Sequence, residues 1–278
     1  MTFDLWGTIF RLEPSEARRY ERRRLEIWEE EVSSWAARGD LAARPTPPRA
    51  AVKAAWKEAQ ACAARGRSAS IEKQSRHAAE LAGRLHQPGA IARRLDPLVR
   101  KLPVHVDREV LRLFPRLEAQ GVRLGVVSNL LSEPAESVRW LLAEHRLLRH
   151  FDVLSLSEEL PWCKPDPRIF QMCLDEMGVR SRETVHVGDA PEDVAGAQAA
   201  GMLAVFALGR SEGRSASPPS TGPGAPSRGT RVVPVGDLSQ VTMQLTPPPV
   251  RVRLTGAGAR RPALSRTRKH GRAPGEVR

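Results

Sequence analysis

From Val122 to Ala207 the sequence alternates between two textures, and this alternation restricts the fold more than any other feature. Short β-branched or apolar runs occupy Val122–Val127, Phe151–Leu156, Thr184–Val187 and Leu203–Ala207. Segments of helical period lie between them, over Pro134–Leu148, Pro167–Met177 and Asp193–Ala200, the last stopped by Gly201. An amphipathic helix over Asp107–Gln120, ended by Gly121, leads into the first run. Turns of a few residues are too short for anything but a helix to carry the chain back between parallel strands, so these are βαβ units. The predicted class is α/β, a Rossmann-like parallel sheet flanked by helices.

Residues 12 to about 105 read differently. Leu25, Ile27, Trp28, Val32 and Trp35 recur at roughly helical spacing among Arg and Glu, and Pro45-Thr46-Pro47-Pro48 breaks the pattern. An Ala-rich helix then runs through Cys62, a third spans about Ser70–Leu85, and a short one covers Ile91–Val99. No strand pattern interrupts them, so 12–105 is expected to be an inserted all-helical domain. Residues 1–11 and 106–246 then form the α/β core. Trp28, Trp35 and Trp56 are expected to pack inside the insert, and Arg22 to Arg24 to form a solvated face.

The other end of the chain is low in complexity. Residues 209–230 (GRSEGRSASPPSTGPGAPSRGT) cannot support a core and read as a loop. Arg231–Val235 resumes as a strand, and Asp237–Leu245 reads as a closing helix. The 278-residue chain has 44 Lys and Arg against 32 Asp and Glu, a net +12. Residues 247–278 hold nine Lys or Arg against Glu276 alone, a net +8, which leaves +4 for the first 246 residues. The basic balance therefore belongs to a tail expected to be disordered. With no aromatic residue interleaved in that tail, nucleic acid is not the expected partner. Cys62, Cys163 and Cys173 show no C-x-x-C spacing and read as reduced thiols. No apolar run reaches the roughly 18–20 residues of a membrane span, and the first thirty residues are crowded with Arg and Glu. These features predict a cytoplasmic protein with no membrane partner; they leave the oligomeric state unassigned.

Ligands of open parallel sheets gather at the carboxyl ends of the strands, and here those ends carry reactive groups. One strand stops at Asp4, another at Ser128-Asn129, and a third at Gly188-Asp189 with Asp193 one helical turn on. Between the second and third lies Lys164, just before a helix start. Three acids, a hydroxyl and an ammonium on one rim suit a phosphate with a divalent cation. The acids can hold Mg²⁺ as hard oxygen ligands. Ser128 and Lys164 can take phosphate oxygens, and Asp4 can attack phosphorus. His186, inside a buried-looking strand, reads as core rather than as a ligand.

The series F-D-L-W-G-T, V-V-S-N, K-P-D-P-R-I-F and H-V-G-D-A-P-E-D-V-A-G-A resembles the haloacid dehalogenase-like hydrolase superfamily in order and spacing, over about residues 1–246. The helical insert resembles that superfamily's cap. The resemblance implies that Asp4 is the nucleophile and that Thr8 steadies its carboxylate, in a turn made by Gly7. It gives Ser128 and Lys164 catalytic roles, with Ser128, Asn129 and Lys164 on the substrate. It puts Mg²⁺ on Asp4, the Trp6 carbonyl, Asp189 and Asp193, the last directly or through water.

Trp6 departs from the pattern. Phosphatases of the superfamily carry a second aspartate there, which protonates the leaving oxygen and activates water, and an indole can do neither. Dehalogenases carry an aromatic residue at that position but lack the acidic pair that Asp189 and Asp193 supply. The expected function is a Mg²⁺-dependent phosphatase-type hydrolase of a small phosphorylated metabolite. The alternatives are a 2-haloacid dehalogenase, or a protein of low or no activity that binds a ligand. Only three residues precede Asp4, where the superfamily has a full strand, so the recorded start is expected to lie downstream of the natural one, the alternative being a truncated first strand and a weakened fold.

Overall fold

The computed structural model describes residues 1–38, 45–106 and 108–206. The expected loop at 209–230, the closing strand and helix over 231–245 and the tail from 247 lie outside the described residues.

A five-stranded sheet forms the centre, with β1 (Thr2–Phe3), β4 (Gly125–Ser128), β5 (Val153–Leu156), β6 (Val185–Gly188) and β7 (Leu203–Phe206) in the order β5-β4-β1-β6-β7. Every pairing is parallel. Every residue of β4 and β6 is buried, the pattern of strands covered on both faces by helices. Strand β1 has only two residues yet occupies the middle of the sheet. Thr2 pairs with Gly125 on one side and His186 on the other, and Phe3 with Val126 and Val187. The Asp4 amide extends the pairing by donating to the Val187 carbonyl at 2.8 Å. This register places Asp4, Ser128 and Asp189 at one carboxyl edge.

After β1 the chain turns tightly and forms β2 (Phe10–Arg11), which pairs antiparallel with β3 (His105–Val106). That ribbon marks where the helical insert leaves and returns. Two residues per strand are too few to show a sequence period, so the reading of 12–105 as wholly helical missed β3. The insert contains α1 (Pro14–Ser34), α2 (Pro48–Ala63), α3 (Ile71–Leu81) and α4 (Ala90–Arg100). Ile27, Trp28, Val32, Trp35, Val52 and Leu95 are buried in its own cluster, with Trp56 packed beside them. Burying each such side chain stabilises the fold by about 1.5–3 kcal/mol. Helix α3 starts after Ser70, whose hydroxyl accepts from the Lys73 amide, and stops four residues earlier than expected, at a turn holding Gly83 at φ +60°. Arg22 and Arg23 face solvent. Arg24 does not: at i+4 from Tyr20 and i−4 from Trp28 it lies on the inward stripe. Its guanidinium is 4.5 Å from the Trp56 ring centroid and 5.6 Å from that of Tyr20.

Helices α5 (Arg108–Ala119), α6 (Ala135–Glu144), α7 (Pro167–Met177) and α8 (Pro191–Ala199) connect the strands of the sheet. Helix α8 begins two residues before the expected Asp193. Pro191 fits its first position, where no amide hydrogen is needed, and Asp193 falls in its first turn. No helix among the described residues is long and apolar enough to cross a membrane.

Candidate active site

The segment after β1 is shaped to bring Asp4 close to the end of β6. Leu5, fully buried, accepts from the amides of Ile9 and Phe10 through its carbonyl, while the Gly7 amide donates to the Phe10 carbonyl. The Trp6 carbonyl takes no part in that bridge. Gly7 has φ +83°, and a Cβ there would lie 2.1 Å from Asp189 Oδ2. Only glycine satisfies both the left-handed backbone and this close approach. The Thr8 hydroxyl donates to Asp189 Oδ1 at 3.3 Å, so it holds the acid that follows β6 and not the Asp4 carboxylate assigned to it from sequence. The Trp6 ring packs on Phe10, with centroids 5.8 Å apart, and its indole N–H is buried without a hydrogen-bond acceptor.

Lys164 reaches the same place from the loop after β5. Its ammonium donates to Asp4 Oδ1 and to Asp193 Oδ1, both at 2.5 Å. Lys164 is 3% exposed, Asp4 6% and Asp193 1%, so the cluster lies in a low-dielectric interior. Two groups fix the lysine's backbone. Asn129 pairs with it reciprocally, its side-chain amide donating to the Lys164 carbonyl at 3.0 Å and its oxygen accepting from the Lys164 amide at 2.7 Å. Both polar atoms of Asn129, expected on the substrate, are thus engaged with the lysine loop. From the other side the α2–α3 connection clasps this loop: the Cys163 amide donates to the Gly66 carbonyl at 3.0 Å and the Ser68 amide to the Pro161 carbonyl at 3.1 Å. Ser128, ending β4, is fully buried, and its hydroxyl has no hydrogen-bond partner.

At the end of β6, Asp193 Oδ1 accepts from Lys164 and is paired at 2.9 Å with His186 Nε2, while its Oδ2 accepts from the Ala190 amide at 3.0 Å. A Cβ on Gly188 would stand 2.3 Å from the Asp193 carboxyl carbon, so this glycine too is required by a close approach. Asp4, Asp189 and Asp193 each present an oxygen within 4.8 Å of the others. Such a set of carboxylate oxygens fits a hard divalent cation. With one ammonium among three acids, the rim carries an excess of negative charge when all are ionised.

Proton affinities follow that imbalance. Burial drives the Lys164 ammonium towards neutrality, but Asp193 and Asp4 outweigh it and hold its pKa above the usual lysine value. Burial also raises Asp193; there Lys164 and His186 win, and its pKa lies well below the usual carboxylate range. Asp4 is raised, by burial first and by the Asp193 charge, against the pull of Lys164. Asp189 is pushed up to about 7 by burial and by its two acidic neighbours. A cation in their midst would favour the ionised forms.

Sequence reasoning missed the hold of Asn129 on the lysine loop, the clasp by Gly66 and Ser68, and the contact of His186 with Asp193. The first two join segments far apart in sequence and leave no local signal. The third has a faint one: in H-V-G-D-A-P-E-D the histidine occupies a strand position whose neighbouring turn returns an acid to it.

A family model described as haloacid dehalogenase-like hydrolase matches residues 1–201. A phosphoserine phosphatase of Thermus thermophilus is 37% identical over 105 residues, which is 36% of this chain and 42% of that protein. A phosphoglycolate phosphatase of Rhodospirillum rubrum is 39% identical over 95 residues, 34% of this chain and 38% of the relative. The chain thus matches less than half the length of these relatives. Among solved structures, a 2-haloacid dehalogenase of Pseudomonas syringae shares the fold with a TM-score of 0.57 at 24% identity, covering 88% of this chain and 96% of the other. A phosphatase of Thermococcus onnurineus gives 0.55 at 21% identity, covering the same 88% and 96%.

Proposed function

The chain belongs to the haloacid dehalogenase-like hydrolases, and on that footing we propose that it hydrolyses a small phosphorylated metabolite through Asp4, with Mg²⁺ bound at the acidic rim. The observation that carries this reading is the buried ion cluster. Lys164 bridges Asp4 and Asp193 at 2.5 Å each, and Asp189 lies within reach of both acids. The partnerless Ser128 hydroxyl ends the adjoining strand. Names of the sequence relatives favour phosphate esters.

In this reading Asp4 Oδ1 stays hydrogen-bonded to Lys164, and Oδ2 attacks phosphorus. The bond between phosphorus and the leaving oxygen breaks, that oxygen departs as an anion that takes its proton from solvent, and the phosphoryl group passes to Asp4. Water then attacks that phosphorus and releases inorganic phosphate, restoring the carboxylate. Lys164 and Ser128 stabilise the phosphoryl oxygens with hydrogen-bond donors already in place, so little reorganisation is needed as charge develops. Asp4 and Asp189, with the Trp6 carbonyl and Asp193, would hold Mg²⁺, which supplies positive charge to the same oxygens.

Trp6 limits the reaction. No proton can pass from its indole to a departing alkoxide, and loss of general acid–base help lowers rates by about 10²–10⁴. A second reading rests on this residue: a halide leaves without a proton, so carbon–halogen cleavage at Asp4 would not need the missing acid. The acidic rim favours the phosphatase. Phosphate release from a panel of phosphomonoesters, and halide release from 2-haloacids, each with Mg²⁺ and with chelator, separates the two readings.

A further inference from the structure

His186 is 1% exposed, and the proposed reaction gives it no part. A buried imidazole is costly unless both nitrogens find partners, and here both do. Nδ1 is paired with the Thr2 hydroxyl at 3.0 Å and Nε2 with Asp193 Oδ1 at 2.9 Å. Thr2 is fully buried and is the register partner of His186 across the β1–β6 pairing. The ring stands edge-on to Phe170 at 5.0 Å. An apolar residue could fill that space; the two polar contacts could not then form.

The contacts make a closed circuit. Thr2 meets His186, His186 meets Asp193, Asp193 accepts from Lys164, Lys164 donates to Asp4, and Asp4 follows Thr2 in β1 by two residues. Asp193 is held at both oxygens, by His186 and Lys164 on Oδ1 and by the Ala190 amide on Oδ2.

We propose that His186 is a positioning residue that commits Asp193 to Lys164. By donating from Nε2 to Asp193 Oδ1, with Nδ1 accepting from Thr2, it fixes the carboxylate so that the lysine ammonium stays directed at Asp4. Asp193 then acts mainly through the lysine, and the first claim on a cation falls to Asp4 and Asp189. This rests on the phosphatase reading only for its effect on turnover; the hydrogen-bond assignment stands without it.

Nitrogen-15 NMR of the full chain labelled at histidine tests the assignment directly. The expected result is a protonated Nε2 and a bare, hydrogen-bonded Nδ1 for His186; a bare Nε2 overturns the proposal. Kinetics with p-nitrophenyl phosphate and Mg²⁺ supply the second test. His186→Gln keeps a donor near the Nε2 position and is expected to retain kcat within about threefold, whereas His186→Asn and His186→Leu lose about tenfold or more with KM little changed. Activities that follow thermal stability across the three variants, with no advantage for Gln, reduce His186 to a packing residue and contradict the proposal. If wild type releases no phosphate, the phosphatase reading fails, and the NMR result still decides the role of His186.

Discussion

The Lys164 ammonium donates to Asp4 Oδ1 at 2.5 Å, and it makes the same bond to Asp193. One cation thus holds two acids in a space that water barely enters. Removing one member of such a cluster leaves buried charge uncompensated, which typically costs about 3–5 kcal/mol. Lys164→Met should therefore be destabilised by that order, and Lys164→Met combined with Asp4→Asn should regain part of the loss. Urea unfolding of the two variants without added metal checks this. Equal stabilities would show that the two charges are not coupled through the lysine.

Gly7 faces Asp189 and Gly121 faces open space, although both have positive φ, +83° and +75°. Alanine at either should cost about 1 kcal/mol from the backbone alone. At Gly7 the new Cβ would also meet a carboxylate at 2.1 Å, so Asp189 must move. Gly7→Ala is expected to lose most of the Mg²⁺-induced rise in melting temperature, while Gly121→Ala keeps it. Thermal melts of both variants with and without Mg²⁺ provide the comparison.

Asp189 carries the sharpest pH consequence. Its pKa is raised from 3.8 to about 7 by burial and by neighbouring carboxylates. A raised folded-state value means that its contribution is fully present below about pH 4 and is lost as pH climbs through about 7. The metal-free protein should lose stability over that window through this group. Mg²⁺ competes with the proton for the same carboxylate, so the cation should raise the melting temperature more at about pH 8 than at about pH 5.5. An equal rise at both would place the cation elsewhere.

With an indole at position 6, departing groups that need no proton should be favoured. Aryl and acyl phosphates should turn over faster than alkyl phosphates, with a steep dependence of rate on leaving-group acidity. Trp6→Asp should raise kcat for an alkyl phosphate by about 10²–10⁴ and flatten that dependence. Rates for a series of esters in both proteins measure it.

Much of this site could be read before any fold was seen, because a parallel sheet turns strand ends into neighbours. Asp4, Ser128 and Asp189 each close a short apolar run, and Lys164 and Asp193 each fall beside a helix start. What stayed hidden depended on side-chain direction or on distant pairing. The Thr8 hydroxyl points to Asp189 because Gly7 lets the turn fold against that acid, a choice of rotamer and approach that spacing does not encode. Asn129 bonds to the main chain of a residue 35 positions away, and Gly66 to a loop nearly a hundred positions on. Strand β1 shows the opposite lesson. Its two residues gave little propensity to read, and tertiary pairing on both sides makes it the centre of the sheet.

The central claim is that Asp4 attacks phosphorus in a Mg²⁺-dependent hydrolysis, and inorganic phosphate release by wild type and Asp4→Asn across a phosphomonoester panel, with Mg²⁺ and with chelator, tests it most directly. Release by wild type only with Mg²⁺, and none by Asp4→Asn, is the predicted result. Mg²⁺-dependent release that persists in Asp4→Asn, or halide release from a 2-haloacid with metal chelated away, would contradict it.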